Sequence, residues 1–342
     1  MINTNFELIE DYIVRGVTLK NKKESRKVGT HDGRFHADEV MATAILKEIF
    51  DIDLVRTRDQ EALKDLDIVY DVGDGEFDHH QVEKEFRERG TPYAASGLIW
   101  EKYGRDVVRV NDENISEDDI NGVVRYIDRN LIESIDASDN GIRAAMAIIP
   151  TPNISTIIAN FNPPWNADAE NEDEYFNQAV KLAAVVLGNA LAQQIATVRA
   201  KAHIAAAFER RPRPELIVLD RSYPWARVLN SIDREKKILY VVFPREEEYL
   251  LQTVRGSGSL GNRKSLPEAW AGKRDDELNE IIGIDDAIFC HSGRFIAGAR
   301  SHESIMKMAD IAIETPENKP QKSFGHVFRK FISKQLKIIR IK

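Results

Sequence analysis

The sequence of 342 residues predicts an α/β fold: a parallel sheet flanked by helices, followed by a long connecting helix and a smaller α+β C-terminal domain. Strand-like and helix-like segments alternate in the N-terminal half, as they do in a parallel sheet with helices on both faces. Residues 172–210 then repeat apolar residues every three or four positions, as a packed helix does. Further apolar runs follow this helix and indicate the strands of a second domain.

The elements of the N-terminal half follow from their apolar spacing. Strands are predicted at residues 26–30, 54–57 and 67–72, and helices at residues 37–50 and 96–103. Asp38 and Glu39 lie in the first turn of the first helix, where the helix dipole favours acids. Ser96 is the predicted N-cap of the second helix.

The C-terminal half has strand-like runs at residues 216–219, 238–243 and 249–254. Proline and asparagine accumulate at residues 150–164 and predict a boundary there. The predicted organisation is an N-terminal extension (1–27), a first domain (28–165), the connecting helix (166–212) and a second domain (213–342). The last residues, 320–342, form a basic tail without Asp or Glu.

The composition is that of a soluble globular protein, with 42% hydrophobic and 30% charged residues. We expect no apolar run that could cross a membrane and no secretory or mitochondrial leader. The single cysteine, Cys290, excludes an intramolecular disulfide and favours a cytoplasmic location. The net charge of −8 argues against nucleic-acid binding unless the acids hold divalent cations that meet the phosphates.

Two short clusters of histidines and acids lie in the first domain. The first contains His31, His36 and Asp38, and the second contains Asp71, Asp78, His79 and His80. Neutral imidazole and carboxylate are ligands of Mn²⁺, Fe²⁺ and Zn²⁺. Glycines 73 and 75 permit the tight turn that returns the second cluster to Asp71. Because each cluster follows a predicted strand, and carboxyl ends of parallel strands share one sheet edge, we expect a single site.

The two clusters offer more ligands than one tetrahedral ion needs. A pair of ions with a bridging carboxylate accounts for the surplus, and such ions, roughly 3.5–4 Å apart, activate a water for attack on phosphorus. Asp32 and Glu39 are also explained by the start of a helix, and Asp78 by orientation of a histidine. A structural zinc site is the alternative, but such sites usually contain paired thiolates, which this sequence lacks.

Motifs spread along the chain carry a resemblance to a known family, and they lie at residues 29–39, 56–59, 71–73, 77–81, 135–142, 266–270 and 289–298. With these motifs the chain resembles the DHH phosphoesterase superfamily. Within it, the chain is similar to the Myg (melanocyte proliferating gene) exonuclease family, formerly called metal-dependent protein hydrolases. The resemblance covers nearly the whole chain after residue 27. It implies a DHH-type metal-binding catalytic domain and a substrate-binding C-terminal domain.

The resemblance also implies roles for individual residues. One ion would be held by His31, His36 and Asp71, and the other by Asp38, Asp71, His79 and either Asp139, which we prefer, or Asp136. Asp71 would bridge the ions, and His80 would face the scissile phosphate or the leaving oxygen, so Asp71, Asp78 and His80 form the catalytic group. Because His36 stands where the superfamily often has Asp, the two ions are expected to be Mn²⁺, with Mg²⁺ or another divalent ion as the alternative.

The resemblance places substrate contacts in glycine-containing loops of the second domain. The implied substrate-binding residues are His291, Gly293, Arg294, Gly298 and Arg300, since glycines admit a phosphate close to the backbone and arginine binds it bidentately. Arg56 and Arg58 lie near a strand end, and they either reach substrate or pair with Asp59. Residues 256–261 lack the pattern of a nucleotide P-loop and are interpreted as a surface turn.

The leading functional hypothesis is a metal-dependent phosphodiesterase that acts as a 3′→5′ exonuclease on single-stranded RNA. Phosphoester hydrolysis follows from the residues, whereas the exonuclease assignment comes from the resemblance. Two alternatives stay open: hydrolysis of small phosphate compounds (short oligonucleotides, cyclic dinucleotides, pyrophosphate or polyphosphate) and a non-catalytic RNA-binding module. The expected partner is single-stranded RNA or an oligonucleotide, with no membrane partner, and a homodimer is left open.

Overall fold

The computed structural model describes residues 23–142, 151–166, 171–256 and 261–316. The predicted basic tail, all but the last residues of the predicted N-terminal extension and most of the turn at residues 256–261 lie outside these ranges. The chain divides into two compact units between Val198 and Arg199.

The first unit is built on a parallel sheet, as the sequence predicts. Its strands are β1 (Glu24–Thr30), β2 (Phe50–Arg56) and β3 (Ile68–Val69), in the order β2-β1-β3. The strand predicted at residues 67–72 is reduced to two residues because the chain turns sharply at Asp71, whose φ is 61°. The backbone N–H of Asp71 donates to the carbonyl of Phe77 at 3.0 Å, which closes this turn.

Helices surround this sheet, and all of them except the short helix at residues 60–63 share one core with it. They are α1 (Ala37–Ile49), α2 (Gln60–Leu63), α3 (Ala95–Asn111), α4 (Glu117–Ile127), α5 (Glu133–Asp139) and α6 (Ile154–Ala159). A π-helical turn, Asp128–Ile132, joins α4 to α5. The first helix is buried from Ala37 to Leu46, so it lies at the centre of the unit. The prediction of Ser96 as an N-cap is wrong: Ala94 caps α3, and the Ser96 hydroxyl donates to Asp136 at 2.6 Å.

The long predicted helix is present as α7 (Glu172–Glu209). Its apolar side chains up to Val198 join the core of the first unit, and Ala200 and Ile204 join a core of the second. An 18-residue window of α7 has a mean hydropathy of 1.4. By length and composition alone, this helix is long and apolar enough to cross a membrane. The expectation that no stretch passes this test is therefore wrong; 39% of that window is buried inside the structure.

The second unit contains a five-stranded mixed sheet. Its strands are β4 (Leu216–Val218), β5 (Tyr240–Arg245), β6 (Glu248–Thr253), β7 (Ala287–Cys290) and β8 (Ile296–Ala299), and its helices are α8 (Trp225–Ile232), α9 (Asp275–Ile282) and α10 (His302–Glu314). The strand order is β4-β5-β6-β8-β7, with only β4 and β5 parallel. Successive residues of β5 enter different cores, so both faces of the sheet are buried. This confirms the predicted α+β class.

Candidate metal centre

His31 lies at the end of β1 with its imidazole almost fully buried. Its Nδ1 donates to the carbonyl oxygen of Asp32 at 2.8 Å, which leaves Nε2 to face acids. Nε2 lies 3.2 Å from Glu39 Oε1 and 3.3 Å from Asp71 Oδ2. A ring held by a carbonyl through one nitrogen is the usual arrangement of a metal-ligating histidine.

The first turn of α1 carries two fully buried acids, Asp38 and Glu39. Glu39 accepts a hydrogen bond from the backbone N–H of His36 at 2.7 Å, which agrees with its predicted place at a helix start. Neither oxygen of Asp38 accepts a hydrogen bond from any residue that the structure describes. Burial and the neighbouring carboxylate of Asp71 raise the pKa of Asp38 well above its ordinary value.

The second cluster is carried by the turn that follows β3. Asp71 and Asp74 have φ values of 61° and 56°, and Gly73 has a φ of 89°, so the turn uses the left-handed region repeatedly. The predicted role of Gly73 is confirmed, whereas Gly75 has no positive φ and its conformational freedom is not used. The turn is closed by Asp78, whose carboxylate accepts the backbone N–H of Asp74 at 2.8 Å.

His79 and His80 follow this turn and point to different partners. His79 Nε2 lies 2.9 Å from Asp139 Oδ2, and its Nδ1 lies 3.3 Å from Asp71 Oδ1. The His80 side chain is 63% exposed, and its Nδ1 lies 2.8 Å from Asp78 Oδ1. Burial alone would raise the pKa of Asp78, but hydrogen bonds from the backbone and ring of His80 and from Asp74 lower it. Asp78 therefore orients His80 as an ionised partner.

The two clusters meet at Asp71. One oxygen of its carboxylate faces His31 and the other faces His79. Potential ligand atoms of Asp38, Glu39 and Asp71 lie within 4.8 Å of one another, as do those of His36, Asp38 and Asp139. Residues distant in the sequence thus form one site at the carboxyl edge of the sheet, and Asp71 has the central position that a bridging ligand requires.

The structure separates Asp139 from Asp136. Asp139 lies at the end of α5 against His79, inside the cluster. Asp136 is fully buried outside it, where it accepts hydrogen bonds from Ser96 and from the backbone of Gly97 and lies 2.8 Å from Arg87. Burial outweighs these partners and raises the pKa of Asp136 to about 6. Asp136 is therefore not positioned to contact an ion held by the cluster.

The donor set fits a divalent cation. Buried carboxylates with unpartnered oxygens are costly unless a cation neutralises them, and Asp38 has two such oxygens. Burial alone would lower the pKa of His31, but its contacts with Asp71 and Glu39 raise it to about 10, so a proton occupies Nε2 where no cation does. Mixed imidazole and carboxylate ligands without thiolate suit Mn²⁺ and related ions.

A cavity of about 720 Å³ opens over the cluster. Its walls include His36, His80 and the polar side chains of Ser138, Asn140 and Thr156. Two positively charged side chains also line the cavity: Arg58, which lies 3.5 Å from Asp32, and Lys84, which donates to Asn140 at 2.7 Å. A phosphate that enters this cavity would meet the side chains of both Arg58 and Lys84.

The sequence predicts that Arg56 and Arg58 each either reach substrate or pair with Asp59, and the structure gives them different surroundings. Asp59 pairs with neither arginine; its side chain caps α2 by accepting the backbone N–H of Glu61 at 3.0 Å. Arg56 is buried, and it donates to the carbonyl of Gly33 at 2.7 Å and to Asp173 at 3.0 Å. It thus holds the loop between His31 and His36 against the start of α7, and of the two arginines Arg58 is the exposed one.

The predicted substrate loop of the second unit lies between β7 and β8. His291 accepts the backbone N–H of Gly293 at 2.9 Å and packs on Phe295, and Arg294 has a φ of 55°. Gly298 is buried within β8, where a Cβ would lie 2.9 Å from the Phe289 ring. Close packing against Phe289 is therefore enough to explain a glycine at this position, and the substrate role of Gly298 stays a prediction from the resemblance. Arg300 is exposed beyond the strand.

Sequence reasoning missed two residues of the site. Glu39 contacts His31 as well as capping α1, but its capping position explained it completely. Lys84 carries no motif signal, and its place in the cavity depends on how the chain leaves His80.

Comparison with known proteins gives consistent matches. The family model MYG1_exonuc, described as an uncharacterised protein family (UPF0160), matches residues 27–313. A MYG1 protein of Saccharomyces cerevisiae is 33% identical over 332 residues, covering 86% of this chain and 97% of that protein. A protein named MYG1 exonuclease from Homo sapiens is 31% identical over 332 residues, covering 86% of this chain and 88% of the relative.

A solved structure also aligns with the chain. The crystal structure of RecJ in complex with Mg²⁺ from Thermus thermophilus covers 91% of this chain at 12% identity, with a TM-score of 0.27. The alignment covers 52% of the RecJ chain, about half of its length.

Proposed function

The chain belongs to the MYG1_exonuc family, and we propose that it is a metal-dependent phosphodiesterase that degrades single-stranded RNA in the 3′→5′ direction. The observation that carries the proposal is the buried carboxylate cluster of Asp38, Glu39 and Asp71, in which Asp38 has no hydrogen-bond donor among the described residues. The names of the relatives support the exonuclease part of the proposal.

We propose that two divalent cations occupy this cluster, with Mn²⁺ favoured over Mg²⁺. His31, His36 and Asp71 would hold one, and Asp38, Asp71, His79 and Asp139 would hold the other. Bound there, the cations supply activation of a water and neutralise charge on the phosphoryl group. The high imidazole content supports the preference for Mn²⁺.

The chain's own side chains supply orientation and proton transfer. Asp78 fixes the ring of His80 through Nδ1, so Nε2 is left for the cavity, where a proton can pass to the leaving oxygen. Arg58 and Lys84 bind phosphate oxygens from the rim. Substrate binding by the loop at His291 and Arg294 of the second unit stays a prediction from the resemblance.

One observation favours the second candidate, hydrolysis of a small phosphate compound. The cavity of about 720 Å³ has the size of a small-molecule site, and Arg58 and Lys84 are the arginine and lysine side chains among its lining residues. A long RNA needs a more extended basic surface, which the described residues of this cavity do not provide.

The test uses single-stranded RNA and DNA carrying a label at either the 3′ or the 5′ end, together with pyrophosphate and a dinucleotide. Each substrate is incubated with the full chain over Mn²⁺, Mg²⁺ and Zn²⁺, and the products are resolved. We expect mononucleotides released from the 3′ end of RNA with Mn²⁺, and no turnover by His79→Ala.

Retained Mn²⁺-dependent turnover in His79→Ala would contradict the metal site. Cleavage restricted to dinucleotide or pyrophosphate would favour the second candidate, and RNA binding that survives chelation without turnover would favour a binding module. A cytoplasmic location stays a prediction from cysteine usage, and imaging of a tagged chain tests it.

A further inference from the structure

Arg87 is a buried cation that the metal cluster does not use. Its side chain is 4% exposed, its Nη2 and Nε lie 2.6 Å and 3.0 Å from Asp128 Oδ1, and Nη2 lies 2.8 Å from Asp136 Oδ2. The guanidinium also lies 4.1 Å from the centre of the Tyr93 ring. Its planar, multidentate donor geometry lets one side chain join two carboxylates, which a lysine ammonium does less well.

The segment around Arg87 links two parts of the metal centre. This segment follows His79 and His80 in the chain and lies beside the helical segment that ends at Asp139. Besides those of Arg87, its side-chain contacts to that segment and to Asn140, which follows it, include Lys84 to Asn140 at 2.7 Å, Arg89 to Glu133 at 2.6 Å and Thr91 to Glu133 at 2.8 Å. The chain after the two histidines is thus attached along the helix that carries Asp139.

The π-helical turn Asp128–Ile132 explains how Arg87 reaches both acids. Asp128 and Asp136 are eight positions apart (136 − 128), which in a regular α-helix places them about 80° apart around the axis. A π turn takes up one extra residue, so the two acids come close to the same face. π turns of this kind are frequent at functional sites.

Helix α3 approaches the same carboxylate closely. The Ser96 hydroxyl and the Gly97 backbone N–H donate to Asp136 at 2.6 Å and 3.1 Å. A Cβ at Gly97 would lie 1.9 Å from Asp136 Oδ2 and 2.8 Å from Arg87 Nη2. The absence of a side chain at Gly97 therefore admits the Asp136 and Arg87 pair.

We infer that Arg87 is a positioning residue of the metal centre. It sets the separation between the segment that carries His79 and the helix end that carries Asp139. His79 Nε2 and Asp139 Oδ2 lie 2.9 Å apart. The residue acts through these two side chains and contacts no reacting group. The inference rests on the proposed function, because it assumes that His79 and Asp139 hold a cation.

A buried arginine in the second unit provides a matched control. Arg263 is 8% exposed at its side chain and pairs with the buried Asp233. It also donates to the carbonyl of Ile238 at 2.9 Å. Replacement of either arginine by lysine retains the charge and removes a buried guanidinium network, but only Arg87 contacts the helix that carries a proposed ligand.

The experiment measures the Mn²⁺ dissociation constant by calorimetry on the metal-free full chain, together with the thermal midpoint. We expect Arg87→Lys and Arg263→Lys both to lower the midpoint. Arg87→Lys should weaken Mn²⁺ binding roughly tenfold or more, the size typical for loss of a group that orients metal ligands. Arg263→Lys should leave the dissociation constant unchanged.

Asp128→Asn is the milder second variant, since the Asp128 side chain is partly exposed, at 22%. We expect it to weaken Mn²⁺ binding severalfold while the chain folds, so it decides the matter if Arg87→Lys does not fold. Wild-type Mn²⁺ affinity in a folded Arg87→Lys or Asp128→Asn variant would overturn the inference. Absence of Mn²⁺ binding by the wild-type chain would instead overturn the proposed function.

Discussion

Each unit contains a buried aspartate, and the two have opposite surroundings. Asp233 in the second unit accepts backbone N–H groups of Lys237 and Ile238 at 3.0 Å and 3.1 Å and pairs with Arg263. Asp38 in the first unit is equally buried, but no described residue donates to it. Its neighbours include the further carboxylates of Glu39 and Asp71.

The difference shows where a ligand belongs. Burial of a carboxylate costs several kcal/mol unless donors or a positive charge offset it. The chain itself supplies the offset at Asp233, and at Asp38 it does not. We propose that a cation from solution supplies it there, so the unpartnered acid points to binding and the partnered acid to stability.

The sharpest test of this comparison is Asp71→Asn. We expect RNA hydrolysis to fall about a thousandfold, as loss of several kcal/mol of transition-state stabilisation implies. Asparagine tolerates the left-handed backbone at this position, where φ is 61°, so the turn is retained. Initial rates with saturating Mn²⁺ measure the effect, and undiminished turnover would remove Asp71 from the centre.

The next effect concerns stability and has opposite signs in the two regions. Asp233→Asn should lower the unfolding free energy by about 3 kcal/mol, because Arg263 stays buried without its counter-charge. Asp38→Asn should raise the stability of the metal-free chain, because it removes an acid whose pKa burial and Asp71 raise. Urea unfolding of both variants without metal checks this, and equal losses would invalidate the comparison.

A smaller effect appears in the pH dependence of the metal-free chain. His31 has a folded pKa of about 10 against an ordinary value of 6.5, so its proton stabilises the fold fully below pH 6.5, and that stabilisation is lost as the pH rises towards 10. We expect the thermal midpoint to fall over this range more in wild type than in His31→Gln. Saturating Mn²⁺ should reduce the fall, because a cation replaces the proton.

The smallest effect is expected at the rim. Arg58→Ala removes an exposed side chain 3.5 Å from Asp32, so its cost in stability should stay under about 1 kcal/mol. KM for RNA should rise severalfold with Mn²⁺ affinity unchanged, since the guanidinium would contact phosphate and not metal. Steady-state kinetics measure this KM. Asp233→Asn, which should lower stability, is the control for any effect of stability alone on KM. An unchanged KM would exclude Arg58 from substrate binding.

Local pattern determined much of this protein from sequence alone. The order of β1 and α1, the acids in the first helical turn and the turn at Asp71 each depend on residues close together in the chain. For that reason the long helix, the parallel sheet and the clustering of polar residues at the edge of this sheet could be predicted. The family followed from motifs for the same reason.

Tertiary structure decided what depends on partners far away in the chain. The placement of Asp139, rather than Asp136, in the cluster depends on which face of α5 meets His79, and the π turn that changes helical register leaves no clear local signal. Arg56, Gly298 and Lys84 likewise take their roles from neighbours across loops and strands. Sequence spacing specifies local backbone conformation, whereas the arginine pairs of Asp233 and Asp136 are made only when distant segments pack together.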